Sequence, residues 1–321
     1  MTSGSAVSAS RSGILFVDKP QGLTSHGVVS RVRKLAGTRK VGHAGTLDPM
    51  ATGLLTIGIN SSTRLLTYLV GLDKEYLATI RLGQSTDTDD AEGSVLPADD
   101  PALVTSALSL LSGPLLSDQL TGDARILAAI VPLTGDIEQV PSTVSAIRVD
   151  GRRAYDLARA GEEVVLKSRA VTVSAFEVLA TRRTDDGFVD LDVRVECSSG
   201  TYIRALARDL GASLGVGGHL TALRRSRVGP FSVADAATLE NLDPATDLVA
   251  PADIAARLFP VLNLDAQHTL ELSQGKKLLD LDIDGGPIAA VGPGNRLVGL
   301  VQVKNSVARP LINFPPEEAN E

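Results

Sequence analysis

The stretch Gly42-His-Ala-Gly-Thr-Leu-Asp48-Pro-Met-Ala-Thr-Gly53-Leu-Leu55 sets one carboxylate among three glycines and a proline, between apolar runs. A short loop constrained in this way can hold a reactive side chain rigidly. A carboxylate so held can attack or stabilise the anomeric carbon of a sugar, as glycosyl transfer requires. Asp48 equally suits a plain structural task, capping a turn ahead of Pro49, and composition alone leaves both readings open.

Other chemistries lack their motifs. The chain has no GxxxxGK[ST] phosphate loop, HExxH, GxSxG or CxxC. His26, His43, His219 and His268 are too scattered to suggest metal ligands, and the single cysteine, Cys197, excludes an intramolecular disulfide or a multi-cysteine zinc site. The glycines from Gly211 to Gly218 follow a helical pattern instead of opening one, which weakens a dinucleotide reading. No metal and no cofactor are expected. Apolar runs fall well short of the roughly 20 residues of a membrane span. Residues 1–12 are small and polar, without the apolar region of a secretory signal, so a disordered tail and a cytoplasmic address are expected.

The chain of 321 residues carries 31 basic and 38 acidic residues, a net charge of −7, which argues against a nucleic-acid partner. The charge is segregated, however. Between Arg11 and Met50 seven basic residues face Asp18 and Asp48, and between Arg204 and Arg227 five arginines face Asp209 alone. Six carboxylates fall between Ser85 and Asp100. Segregation of this kind can give an acidic protein a basic face.

The elements that must position these residues follow from periodicity. Gly13–Val17 reads as a strand entering the turn at Pro20-Gln21-Gly22. Thr24 or Ser25 caps a helix with Val28, Val29, Val32 and Leu35 on one face and Arg31, Arg33 and Lys34 on another. Tyr76, Ala78, Ile80 and Leu82 alternate as one side of a strand from Glu75, and Val189–Glu196 alternates apolar with charged residues. Asp100-Pro101 is an N-cap followed by a first-turn proline. Beyond Ser198-Ser199-Gly200, Ile203, Leu206, Ala207 and Leu210 recur at helical spacing. The region 250–260 reads as a boundary, followed by short strands with Gly-Pro turns. Irregularly mixed strands and helices indicate an α+β architecture.

Taken together, several segments resemble the TruB family of tRNA pseudouridine-55 synthases. Gly42–Leu55 resembles its catalytic motif, Asp18-Lys19-Pro20-Gln21-Gly22-Leu23-Thr24-Ser25 its first motif, and Lys74-Glu75-Tyr76 its tyrosine-bearing strand. Gln139-Val140-Pro141-Ser142 through Tyr155 is similar to its RNA-gripping insertion. Gly200-Thr201-Tyr202-Ile203-Arg204 and His219-Leu220 through Leu223-Arg224-Arg225 match its later motifs in order.

The resemblance implies a pseudouridine-synthase fold over 13–248, with a central mixed, mostly antiparallel sheet flanked by helices and loops and an RNA-gripping insertion at about 101–155. A small, mainly β, PUA-like RNA-binding domain is expected at 251–321. It implies a cofactor-free isomerisation of the T-loop uridine of tRNA. Asp48 would be the essential carboxylate. Tyr76 would stack on the flipped base, Tyr202 and Leu223 would line its pocket, and His43 would fill the space it leaves. Arg204 is expected to pair with Asp48, or else to face water or phosphate; Lys19 supports the active-site wall or binds backbone phosphate. Arg31, Arg33, Arg148, Arg152, Arg153, Arg224 and Arg225 are candidates for phosphate contacts. A monomer with tRNA as its partner, needing no protein partner and no membrane, is expected. An RNA-folding chaperone with secondary catalysis and a glycosidase built on Asp48 are the competing readings; the latter needs a second carboxylate, with Asp18 and Glu75 the candidates.

Overall fold

The computed structural model describes residues 11–111, 123–142, 148–149, 152–153 and 166–315. Much of the expected insertion and the tail lie outside these residues. For Arg148, Arg152 and Arg153 only the backbone is described, as a pairing of Arg148–Val149 with Arg152–Arg153. The chain divides into two compact units: Met1–Pro49 with Gly53–Val70 and Gly229–Glu321, and Met50–Thr52 with Gly71–Val228. This division differs from a cut near residue 250, because chain order does not reveal that the segment after Gly229 returns to the first strand. Val17 pairs with Ala237 in parallel, and Ile14 with Val249 antiparallel.

In the first unit, strand Gly13–Lys19 runs antiparallel to Thr52–Ile59, with Val17 opposite Leu55 and Lys19 opposite Gly53. Val41–Ala44 is antiparallel to Thr52–Ile59, with His43 opposite Ile57. Ile14, Leu15 and Val17 on the first strand and Leu54, Leu55 and Ile57 on its neighbour have no exposed surface. Helix Ser25–Leu35 buries Val28, Val29 and Val32 and exposes Arg31, Arg33 and Lys34, as its periodicity requires. The C-terminal part is mainly β. Strands Val261–Asn263, Gly285–Gly292, Arg296–Lys304 and Val307–Asn313 form a sheet in that order around Leu272, Ile288, Val298, Val301 and Ala308. One of the expected Gly-Pro turns, Gly286-Pro287, falls within the second of these strands. The expected boundary region holds a helix, Pro251–Leu258, with Pro251 in its first turn and Ala252, Ile254 and Ala255 buried.

In the second unit, strands follow the order Gly218–Val228, Lys74–Leu82, Val189–Cys197, Arg169–Arg183 and Gly135–Gln139, every neighbour antiparallel. Alternation decides which face is dry. Tyr76, Ala78, Ile80 and Leu82 are buried with Val189, Leu191, Val193 and Val195, as predicted. The wet face carries cross-strand ion pairs such as Arg81–Asp190 at 2.8 Å and Arg194–Glu75 at 2.9 Å. Helix Ile203–Ser213 packs on strand Gly218–Val228. Asp100 caps helix Pro101–Leu111 through the amides of Ala102 and Leu103, at 3.0 and 3.1 Å. Among the described residues the fold is therefore α+β with mixed, mostly antiparallel strand pairing and a small β domain at the C-terminal end.

Candidate active site

Asp48 lies in the loop between Val41–Ala44 and Thr52–Ile59, and its two neighbours are held from beneath. The Ser25 hydroxyl donates to the Leu47 carbonyl at 3.0 Å and accepts from the Leu47 amide at 2.9 Å, with Ser25 and Leu47 both buried. Thr24, not Ser25, caps the helix, by accepting from the Gly27 amide at 3.0 Å. With the cap filled by Thr24, Ser25 acts as a tie between helix and loop. On the other side of Asp48, the Pro49 carbonyl accepts from the Gly22 amide at 2.8 Å and from Lys19 Nζ at 3.3 Å. Lys19 also donates to the carbonyls of Leu23, at 2.6 Å, and Pro20, at 3.0 Å. Its side chain has no exposed surface. This buried ammonium joins the turn after the first strand to the Asp48 loop and is not exposed to meet phosphate.

The backbone of the loop explains its glycines. Gly45 has φ +77° and Gly53 +99°, left-handed values that side chains with a Cβ rarely adopt. Between them the Asp48 side chain is half-buried. His43 also sits in this unit, half-buried, its ring edge-on to His26 with centroids 5.4 Å apart.

The other expected residues are in the second unit. Tyr76 is 8% exposed and lies opposite Arg225; Leu223, 7% exposed, lies two pairs along, opposite Ala78 on the same face. The Leu223 carbonyl accepts from the Thr52 hydroxyl at 3.5 Å, which ties the end of the catalytic motif to this strand. Arg225 is 1% exposed. Its expected role as a phosphate contact fails, because the alternation that buries Leu223 turns Arg225 to the same side.

Arg204 is almost wholly buried on helix Ile203–Ser213, where its Nη1 donates to Asp90 and to the Thr88 carbonyl, both at 3.0 Å. One turn on, Arg208 pairs with Asp89 at 3.2 Å. Burial holds the Asp89 carboxyl above the usual range, against the opposing pull of the nearby Ser142 hydroxyl and the Arg208 and Arg204 charges. The acidic stretch thus supplies counter-charges to the helix arginines. Arg227 meets Glu196 at 3.1 Å, so three of the five arginines between Arg204 and Arg227 pair with carboxylates of the same chain. The exposed basic residues of the first unit, Arg31, Arg33, Lys34, Arg39 and Lys40, are not buried in this way.

Tyr202 stands at the N-terminal end of the same helix. Its amide and carbonyl are bound by the side-chain amide of Gln139, and its ring lies near Arg169. Sequence reasoning missed Ser25, Asp90 and Gln139 as site-building residues. The signal for Ser25 was the pair of adjacent hydroxyls at a helix start that needs only one.

Matches to known proteins identify the family. A family model described as TruB family pseudouridylate synthase, N-terminal domain, matches residues 33–203. One described as tRNA pseudouridylate synthase B C-terminal domain matches 204–262. The fold is shared with an H/ACA ribonucleoprotein solved bound to a substrate RNA containing 2'-deoxyuridine. That likeness has a TM-score of 0.65 at 23% identity and covers 95% of this chain and 86% of that one. The family model over residues 33–203 defines a pseudouridine-synthase-type protein.

The chain belongs to the TruB family. It is 56% identical to tRNA pseudouridine synthase B of Leifsonia xyli subsp. xyli, over 96% of this chain and 98% of that protein. It is 51% identical to the protein of the same name from Paenarthrobacter aurescens, over 95% and 96%.

Proposed function

We propose that this tRNA pseudouridine synthase acts on the T-loop uridine at position 55 and that Asp48 is its catalytic carboxylate. The enzyme is an isomerase that converts uridine to pseudouridine in tRNA. The uridine leaves the RNA loop so that Asp48 can reach its ribose. The C1′–N1 bond breaks with its electron pair on the base, and the Asp48 anion stabilises the electron-poor C1′. The base turns, C5 bonds to C1′, the C5 proton is lost and N1 gains one. Atoms and electrons balance without an external nucleophile or a redox partner.

The observation that carries this reading is the bracing of Leu47 by Ser25 and of Pro49 by Lys19 and Gly22, which fixes the backbone on both sides of a half-buried carboxylate. Tyr76 offers a ring for the flipped base, a contact worth about 1–3 kcal/mol for base stacking in general. Leu223 and Tyr202 form the pocket with it, and His43 occupies the place vacated in the RNA. Arg204, steadied by Asp90, is the proposed partner that keeps Asp48 ionised. The exposed basic helix Ser25–Leu35 meets phosphate, and the C-terminal β domain is a PUA-like RNA-binding part. The enzyme works as a monomer in the cytoplasm without a protein partner; among the described residues no helix is long and apolar enough to cross a membrane.

Mapping of pseudouridine in unmodified tRNA treated with the purified protein tests the proposal. Modification of the T-loop uridine alone is expected. Modification elsewhere, or RNA refolding with no pseudouridine formed, would overturn it, the second in favour of a chaperone.

A further inference from the structure

We infer that Gln139 and Arg169 are positioning residues for Tyr202, acting as one device from two neighbouring strands. Gln139 ends strand Gly135–Gln139, and Arg169 begins strand Arg169–Arg183 directly opposite it in the register. From these facing positions each holds a different part of the tyrosine. The Tyr202 amide donates to Gln139 Oε1 at 2.8 Å, and Gln139 Nε2 donates back to the Tyr202 carbonyl at 3.1 Å. The side-chain amide thus copies the two-bond pairing of a β-bridge, in a site where Gln139 is 1% exposed. The Arg169 guanidinium carbon lies 5.5 Å from the centroid of the Tyr202 ring, within cation–π range.

Position 202 also explains why so specific a grip exists. Tyr202 has φ −104° and ψ 107°, outside the helical region, and its side chain makes no hydrogen bond that caps the helix it precedes. Nothing in helix propensity fixes its backbone, whereas its carbonyl begins the helix by accepting from the Leu206 amide at 3.3 Å. Gln139 supplies the missing restraint. Arg208 reinforces it by donating to the Val140 carbonyl at 2.8 Å, one residue beyond Gln139. Two residues after Tyr202 comes Arg204, so the orientation of both side chains follows from where this strand end docks. Asparagine could not substitute for Gln139 here, because its amide is one methylene shorter and the two bonds need the full reach.

The inference rests on the reading of Tyr202 as a wall of the uridine pocket, and its test separates the two claims. The chain has four tyrosines and no tryptophan, so 3-fluorotyrosine labelling gives a simple ¹⁹F spectrum, in which Tyr202→Phe identifies the Tyr202 signal. Gln139→Met keeps the shape and removes both hydrogen bonds; Arg169→Met removes the charge and Arg169→Lys keeps it. In RNA-free protein, the two methionine variants are expected to shift or broaden the Tyr202 signal and leave the other three in place, with Arg169→Lys close to the parent. On a T-arm RNA, kcat is expected to fall about tenfold in each methionine variant with KM within about twofold. Most RNA affinity comes from phosphate contacts, whereas seating the base is a later step. In a Tyr202→Leu background the same substitutions should cost nothing further. An unmoved Tyr202 signal in both methionine variants would overturn the inference whatever the kinetics, as would kcat losses that persist undiminished in Tyr202→Leu. Full activity in Tyr202→Leu itself would instead overturn the pocket reading, with the ¹⁹F shifts still reporting the grip.

Discussion

Substituting Ser25 by alanine isolates the bracing of the Asp48 loop from the proposed catalytic carboxylate itself. Ser25 is 1% exposed and its hydroxyl both donates to and accepts from Leu47, itself 3% exposed. Alanine deletes one oxygen and orphans a buried carbonyl and a buried amide together. Each orphaned group costs about 1–3 kcal/mol, so a total near 3 kcal/mol is expected. With roughly 2–4 °C of melting temperature per kcal/mol for a domain of this size, the midpoint should drop by about 6–12 °C. Leu47 is bonded directly to Asp48, and a shift of about 1 Å in a reacting group can cost on the order of a hundredfold. Tritium release from tRNA carrying C5-labelled uridine, read in single turnover at a temperature where the variant stays folded, should therefore slow by 10- to 100-fold by the same estimate. RNA affinity should stay near that of the parent. Ser30→Ala serves as the control, since the exposed Ser30 hydroxyl bonds only within its own helix, at 3.0 Å to the His26 carbonyl. A Ser25→Ala protein that melts early but reacts at the parent rate would refute the claim that this tie positions Asp48. One unchanged in both would refute the energetic argument as well.

Three further outcomes follow from buried charge and from the basic helix. Lys74 is pushed down from 10.5 to about 8, first by burial and then by the Arg225 charge. From pH 8 upward the unfolded chain therefore binds the extra proton and stability rises with pH. Cys197, pushed by burial from 9.0 up to about 11, opposes this above pH 9. Denaturant melts should show a rise of up to about 1 kcal/mol between pH 8 and 9 in the parent and none in Lys74→Met. Asp90→Ala removes the carboxylate beside Arg204 in a site where both are about 5% exposed or less, and should cost roughly 3–5 kcal/mol in urea unfolding. If Arg31, Arg33 and Lys34 meet phosphate, tRNA affinity should fall by at least tenfold between about 50 and 200 mM salt, as measured by filter binding, and a triple alanine variant should flatten that slope.

Local pattern was legible in the sequence wherever one periodicity decides the outcome. Tyr76 to Leu82 and Val189 to Val195 alternate, and their strands form with the apolar side inward. The helix from Ile203 follows its apolar spacing, and the loop around Asp48 was marked by its glycines. What the sequence hid was long-range pairing of charge. Arg204 and Asp90 are 114 residues apart, so a count of arginines suggested a basic face where the fold makes internal ion pairs. Arg225 was misread, and the phosphate alternative for Lys19 arose, for a related reason. Long cationic side chains are surface residues by default, and only three converging carbonyls, or a strand face shared with Leu223, bring them inside. The C-terminal return onto Gly13–Lys19 has no local signal at all, because a two-residue parallel pairing such as Val17 with Ala237 leaves no periodic trace.

The central claim is that the Asp48 anion carries the chemistry, and Asp48→Asn tests it most directly, because the amide matches the carboxylate in size and removes its charge. Measured by tritium release from C5-labelled uridine in a T-arm RNA, with RNA binding followed in parallel, the variant is predicted to release none above background while binding RNA within a few-fold of the parent. Tritium release at the parent rate by a correctly folded Asp48→Asn protein would contradict the account.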